Sequence, residues 1–198
     1  MQPARNELIV GGQKSGKSRR AQTLAQSWLA VNPAHRAVLL ATARADDDEM
    51  QKRILRHQHD RQDQVPGLVT VEEPLQLAQA LRAHSDVRTL VVVDCLTLWL
   101  TNLSWPVPVP VPGKGVGGRG GQPDAVALAT GELLDTLAAV SGPVVLVSNE
   151  IGLGVIPMGR EVRAFVDALG TLNQQVARVS ARVTLMAAGL PLVLKDTP

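Results

Sequence analysis

The sequence has no tyrosine, and Trp28, Trp99, Trp105 and Phe165 are its only aromatic side chains among 198 residues. Bases therefore find few platforms on which to stack. Charge of one sign is scarce as well. Lys plus Arg number 20 against 18 Asp plus Glu, a net charge of +2, so a pI near 9.0 rests on too small an excess to track a phosphate backbone. Nucleic acid is excluded as an expected ligand. Cys95 is the only cysteine, which rules out an intrachain disulfide and a multi-cysteine zinc site and points to a reducing compartment, the cytoplasm. No uncharged apolar run approaches the roughly 20 residues that span a bilayer. The stretch Met1 to Glu7 leads into only a short apolar run, so neither a membrane span nor a signal peptide is expected.

What is present is the balance of a globular protein: 45% apolar and 19% charged residues. The length suits one domain covering residues 1–198. Short Val/Leu/Ile runs alternate with longer helical patterns, which predicts an α/β fold with a mostly parallel sheet flanked by helices. Strands are expected at Leu8 to Val10, Ala37 to Thr42, Leu68 to Val71, Thr89 to Asp94, Val144 to Ser148, Val183 to Ala187 and Leu192 to Leu194. The helical spans are Lys17 to Ala30, Asp48 to Gln62, Pro74 to His84, Ala125 to Val140 and Arg160 to Ser180. The segment Trp105 to Pro123 starts as a Pro alternation and ends Gly-rich. It reads as a flexible surface tether or, alternatively, a lid over a substrate.

Gly11-Gly12-Gln13-Lys14-Ser15-Gly16-Lys17-Ser18 fits G-x-x-x-x-G-K-[ST], the loop whose backbone N–H groups wrap a polyphosphate. Lys17 would neutralise the outer phosphates, and the Ser18 hydroxyl would hold magnesium. A strand runs straight into Gly11 and helical spacing follows Ser18, the context that this chemistry needs. Asp94 ends the apolar run Leu90 to Val93. It reads either as a second magnesium-side carboxylate or as the cap of the next helix. The N-K-x-D and D-x-x-G loops of switch GTPases do not follow, which argues against a switch module.

The segment Asp46 to Arg61 opens with four acids and continues as a charged helix. At 100° per residue Met50, Ile54, His57 and Arg61 fall within about 60° of one another, and His59 lies roughly 160° from His57. A His and an Arg that continue an apolar stripe form either a satisfied polar patch or the lip of a site. Neutral imidazole is a competent nucleophile near pH 7, and a neighbouring guanidinium suits a phosphorus centre under attack.

Together these residues carry a resemblance. The stretch Gly11 to Arg19, Ala41-Thr42-Ala43, Asp47 to Met50, Arg53-Ile54-x-x-His57, Asp60-Arg61 and Thr70 to Pro74 occur in the order found in one family. So do Val93 to Asn102, Ser148 to Pro157 and Asn173-Gln174. Over nearly its whole length the sequence resembles the bifunctional adenosylcobinamide kinase and adenosylcobinamide-phosphate guanylyltransferase of cobalamin biosynthesis. The resemblance implies a RecA-like P-loop NTPase fold, a homotrimer, and an enzyme that phosphorylates adenosylcobinamide and then transfers GMP from GTP to adenosylcobinamide phosphate. It implies that His57 carries GMP covalently. It also implies nucleotide contacts from Gly11 to Ser18, from Ala41, Thr42 and Ala43, from Gln58, His59, Asp60 and Arg61, and from Glu72 and Asp94. Mg2+ would sit on Ser18 and Asp94, with GTP as substrate and ATP as the alternative phosphate donor. The rival readings are a P-loop kinase without guanylyl transfer and a nucleotide-binding module without chemistry. Four positions depart from the family pattern: Met158-Gly159 stands for Glu-Asn, and Val166 and Thr171 each stand where the family has arginine.

Overall fold

The computed structural model of the chain describes residues 3–44, 64–105 and 123–197. The expected helix from Asp48 to Gln62 and most of the Pro/Gly segment lie outside the described residues. Seven strands form one sheet: β1 (Asn6–Gly11), β2 (Arg36–Ala41), β3 (Leu68–Glu72), β4 (Thr89–Asp94), β5 (Val144–Asn149), β6 (Arg182–Ala187) and β7 (Leu190–Asp196). Their order is β3-β2-β4-β5-β1-β6-β7, parallel throughout except that β7 turns back against β6. Every expected strand is present, with small shifts at the ends.

The helices are α1 (Lys17–Val31), α2 (Leu77–His84), α3 (Leu96–Ser104), α4 (Pro123–Ala139) and α5 (Arg160–Val179). Successive residues of each central strand feed opposite faces, as the pleat requires. Leu8, Val91, Val93 and Leu146 pack with α2, α3, α4 and α5, whereas Ile9, Leu90, Val92 and Val147 pack with Ala21, Leu24 and Ala25 of α1. Burial on both faces explains why these strands read as continuous apolar runs instead of alternating ones.

Two helices differ from the sequence reading. The helix expected from Pro74 begins at Leu77, because the Glu73 carboxylate accepts N–H groups from Leu75 (2.9 Å) and Gln76 (2.7 Å) and holds a turn first. The sequence reading had no helix at Leu96–Ser104, where Thr97, Thr101, Asn102 and Ser104 interrupt an otherwise apolar run. Its buried Leu96, Trp99 and Leu100 nevertheless keep helical spacing.

Glu7 in β1 is fully buried. Its Oε1 accepts from Arg20 Nε (3.0 Å) and Nη2 (2.8 Å) and from the Thr184 hydroxyl (2.9 Å), which ties α1 and β6 to β1. Glu7→Ala strands the Arg20 guanidinium, whose side chain is 10% exposed. Removing one member of a buried ion pair costs about 3–5 kcal/mol, so a fall of that size is expected in the unfolding free energy measured with urea.

Candidate active site

The carboxyl edge of the sheet brings together Gly11, Ala41, Glu72 and Asp94 from the expected set. Register pairs Glu72 with Ala41, Ala41 with Asp94, and Gly11 with Asn149 on one side and Met186 on the other. The ends of β3, β2, β4, β5 and β1 therefore line up along one rim, where open α/β sheets bind ligands.

Gly11 to Ser18 bridges β1 to α1. Positive φ at Lys14 (56°) and Gly16 (99°) bends the chain around a hollow of backbone N–H groups. Lys17 is buried, and its ammonium donates to the Gly11 carbonyl at 3.0 Å and the Gly12 carbonyl at 2.6 Å. Burial lowers its pKa, while Cys95 in its thiolate form and the Asp94 carboxylate push it back up. Asp94 is thus electrostatically coupled to Lys17. Gln13, Lys14 and Ser18 are exposed on the loop, while Ser15 is buried with no hydrogen-bond partner for its hydroxyl among the described residues.

The sequence reading missed what braces this loop. The β6–β7 turn packs beneath it, with Gly189 N–H donating to the Ser15 carbonyl at 3.0 Å. A Cβ on Gly11 would stand 2.5 Å from the Met186 carbonyl oxygen and 2.6 Å from Ser15 Oγ, whereas one on Gly12 would meet nothing within 4 Å. Because the obstacle is backbone and φ is +156°, Gly11→Ala should lower stability by about 1–3 kcal/mol. Gly12→Ala should leave the urea midpoint near that of the parent, and equal midpoints for the two variants would refute the brace.

Thr42 is a strut. Its hydroxyl donates to the Cys95 carbonyl (2.7 Å) and accepts from Cys95 N–H (2.9 Å), and its carbonyl accepts from Asn102 Nδ2 (2.8 Å). This fastens the end of β2 to the turn that follows Asp94. The thiol of Cys95 is buried, and that burial, reinforced by Asp94, raises its pKa to about 11. It stays protonated at neutral pH and is no nucleophile. Ala41 is buried at the end of β2, Ala43 is half-buried beyond it, and Glu72 ends β3 with its side chain engaged. On the other side, Glu150 N–H donates to the Gly11 carbonyl at 3.0 Å, Thr97 Oγ1 accepts from Asn149 N–H at 2.9 Å, and Asn173 Nδ2 donates to the Asn149 carbonyl at 3.0 Å. These bonds couple α3 and α5 to the phosphate loop. His57, Gln58, His59, Asp60 and Arg61 lie outside the described residues.

Magnesium at a phosphate loop is held by one or two protein oxygens plus phosphates and water. Ser18, exposed at the start of α1, and Asp94, half-buried beside Lys17, supply that donor set. Among the described residues no group of three His, Cys, Asp or Glu side chains could hold a metal by itself.

Comparison with known proteins completes the picture. The flagellar accessory protein FlaH of Methanocaldococcus jannaschii superposes with a TM-score of 0.51 at 13% identity, covering 98% of this chain and 80% of that one. The fold is accordingly an α/β P-loop fold of the RecA-like kind. The bifunctional adenosylcobalamin biosynthesis protein CobP of Pseudomonas aeruginosa is 42% identical over 193 residues, 97% of this chain and 98% of the relative. The corresponding CobU of Escherichia coli is 31% identical over 188 residues, 95% of this chain and 98% of the relative. The family model described as cobinamide kinase / cobinamide phosphate guanyltransferase matches residues 7–194, and with full-length relatives on either side of that match the chain belongs to this family.

Proposed function

We propose that this chain is a bifunctional enzyme of cobalamin biosynthesis. It phosphorylates the aminopropanol hydroxyl of adenosylcobinamide and then transfers GMP from GTP to that phosphate, releasing pyrophosphate. One observation carries the reading: register aligns Glu72, Ala41, Asp94 and Gly11 along a single carboxyl rim beside the Lys17 loop. The family membership supports the same two activities.

In the first step the acceptor alcohol attacks the terminal phosphorus of the nucleotide and the nucleoside diphosphate leaves. Little covalent chemistry falls to the protein, so catalysis is positioning and charge neutralisation. Lys17 supplies the cation, the N–H groups of residues 11–18 supply donors, and Ser18 and Asp94 would hold Mg2+. When bound, the ion neutralises charge developing on the phosphate oxygens. The Thr42 strut keeps Asp94 in register, so the part we assign to Thr42 is support for the rim.

In the second step an imidazole nitrogen of His57 attacks the α-phosphorus of GTP and the bond to pyrophosphate breaks. A phosphate oxygen of the corrinoid then attacks the same phosphorus and the P–N bond breaks, returning the imidazole. Splitting one displacement into two is the gain from covalent catalysis. Arg61 balances charge at phosphorus, and Gln58, His59 and Asp60 are assigned further nucleotide contacts. GTP serves both steps, with ATP as the alternative phosphate donor. The working unit we assign is a cytoplasmic homotrimer of single P-loop domains, with residues 105–123 as a tether.

The test is to incubate the purified protein with GTP labelled at the α-phosphate. A protein-bound label that adenosylcobinamide phosphate discharges into adenosylcobinamide-GDP is expected. Product formation with no labelled protein on rapid quenching would reject the covalent step.

A further inference from the structure

Helix α5 carries two stripes. Leu169, Leu172 and Val176 face the core. A second stripe of Arg163, Val166, Asp167, Gly170, Thr171 and Gln174 at helical spacing forms one wall of a cleft of about 520 Å³, whose other wall is the loop 151–157. That volume is within the usual span of small-molecule sites, about 300–1,000 Å³. The loop presents apolar side chains outward: Leu153 is 80% exposed, Val155 95% and Ile156 78%. An apolar surface of this kind beside converging polar groups marks a binding site. The lining begins one residue after Glu150, whose backbone N–H donates to the Gly11 carbonyl at 3.0 Å, so the chain runs from the phosphate loop into the cleft wall.

The lining selects among ligands. Arg163 donates to the carbonyls of Pro157 (3.0 Å) and Met158 and so pins the loop to α5. Asp167 adds an acceptor, and Thr171 and Gln174 can each donate and accept. One cation and one anion give no net charge, a poor match for a polyphosphate and a good one for neutral amides. Val166 and Thr171, two of the positions where this chain departs from the family's arginines, are both in this wall.

We propose that the cleft is the acceptor subsite: it seats the amide-fringed edge of the corrinoid macrocycle, with apolar ring surface against residues 151–156 and the hydroxyl arm passing Glu150 toward the phosphate loop. The inference rests on the enzymatic reading above. A Cβ on Gly170 meets nothing within 4 Å, and the residue lines the cleft, so Gly170→Phe aims a bulky group into it. Gly131 in α4 is equally open and belongs to no site, so Gly131→Phe is the control for a bulky group on a helix.

Steady-state assays with adenosylcobinamide should show its KM raised by about tenfold or more in Gly170→Phe and in Ile156→Asp. GTP affinity and α-phosphate labelling should stay at the parental level, and Gly131→Phe should match the parent. Ile156→Asp alters an exposed side chain, so it reports even where Gly170→Phe fails to fold. Unchanged corrinoid KM in the folded variants overturns the subsite. Loss of GTP affinity instead assigns the cleft to nucleotide and overturns it as well. A smaller sedimenting species in Ile156→Asp with unchanged corrinoid KM gives the loop to a second copy of the chain. If the parent protein converts no adenosylcobinamide, the enzymatic reading falls and the subsite with it; a working parent with unaffected variants sinks the subsite alone.

Discussion

Lys17→Ala is expected to lower GTP affinity by about 10- to 100-fold and to depress both activities together. A charge-assisted hydrogen bond contributes about 1.5–3 kcal/mol, and each 1.4 kcal/mol is about tenfold in affinity. Titration calorimetry reads the change directly, and unchanged GTP binding would remove the phosphate loop from the account. The same lysine makes a signed prediction about pH. Burial already lowers its pKa, and the Asp94 carboxylate opposes that shift. Triphosphate binding should therefore weaken as pH rises through the lowered pKa, because the ammonium is what pairs with phosphate. Asp94→Asn removes part of the opposing term, so its loss of binding should occur at lower pH than in the parent. Measured with the metal chelated, this separates the electrostatic role of Asp94 from its metal role. A shift to higher pH, or none, would contradict the coupling.

How much of this was legible beforehand follows from the range of each interaction. The phosphate loop is a local device, with strand, glycines, lysine and helix contiguous from Leu8 to Ala25, so spacing alone specified it. The central strands β2, β4 and β5 were legible because burial on both faces makes their composition almost uniformly apolar. Helix α3 was missed, since Cys95 at its start provides no side-chain cap and its polar stripe, Thr97, Thr101 and Ser104, is narrow and uncharged. The brace from Gly189 to Ser15 spans most of the chain, and nothing near either residue announces the other. The Glu7 ion pair was invisible for the same reason: a carboxylate in an edge-of-strand position reads as solvent-facing until Arg20 and Thr184 are brought to it. The acceptor cleft shows a mixed case. Val166 and Thr171 stood out from the family pattern one at a time, but only the fold places them on one wall opposite Val155 and Ile156. The expected histidine helix was read from periodicity and resemblance and lies outside the described residues.

His57→Ala should separate the two activities. Without the imidazole no phosphoramidate can form, so the variant should take up no label from α-labelled GTP and make no adenosylcobinamide-GDP. Phosphorylation of adenosylcobinamide should continue near the parental rate, because that alcohol attacks a terminal phosphorus held by Lys17, Ser18 and Asp94 and needs no protein nucleophile. The adduct can be typed chemically, since a phosphoramidate on imidazole is labile in acid and stable in base, the reverse of a serine ester. The thiol of Cys95 is no rival, being buried and protonated with a pKa of about 11. His59→Ala provides the internal comparison. In helical phase His59 points about 160° away from His57, so its replacement should trim nucleotide affinity at most and leave labelling intact. Label that persists in His57→Ala and vanishes in His59→Ala would transfer the role to the other histidine. Label that persists in both would place the nucleophile off this helix and confine His57 to nucleotide contact.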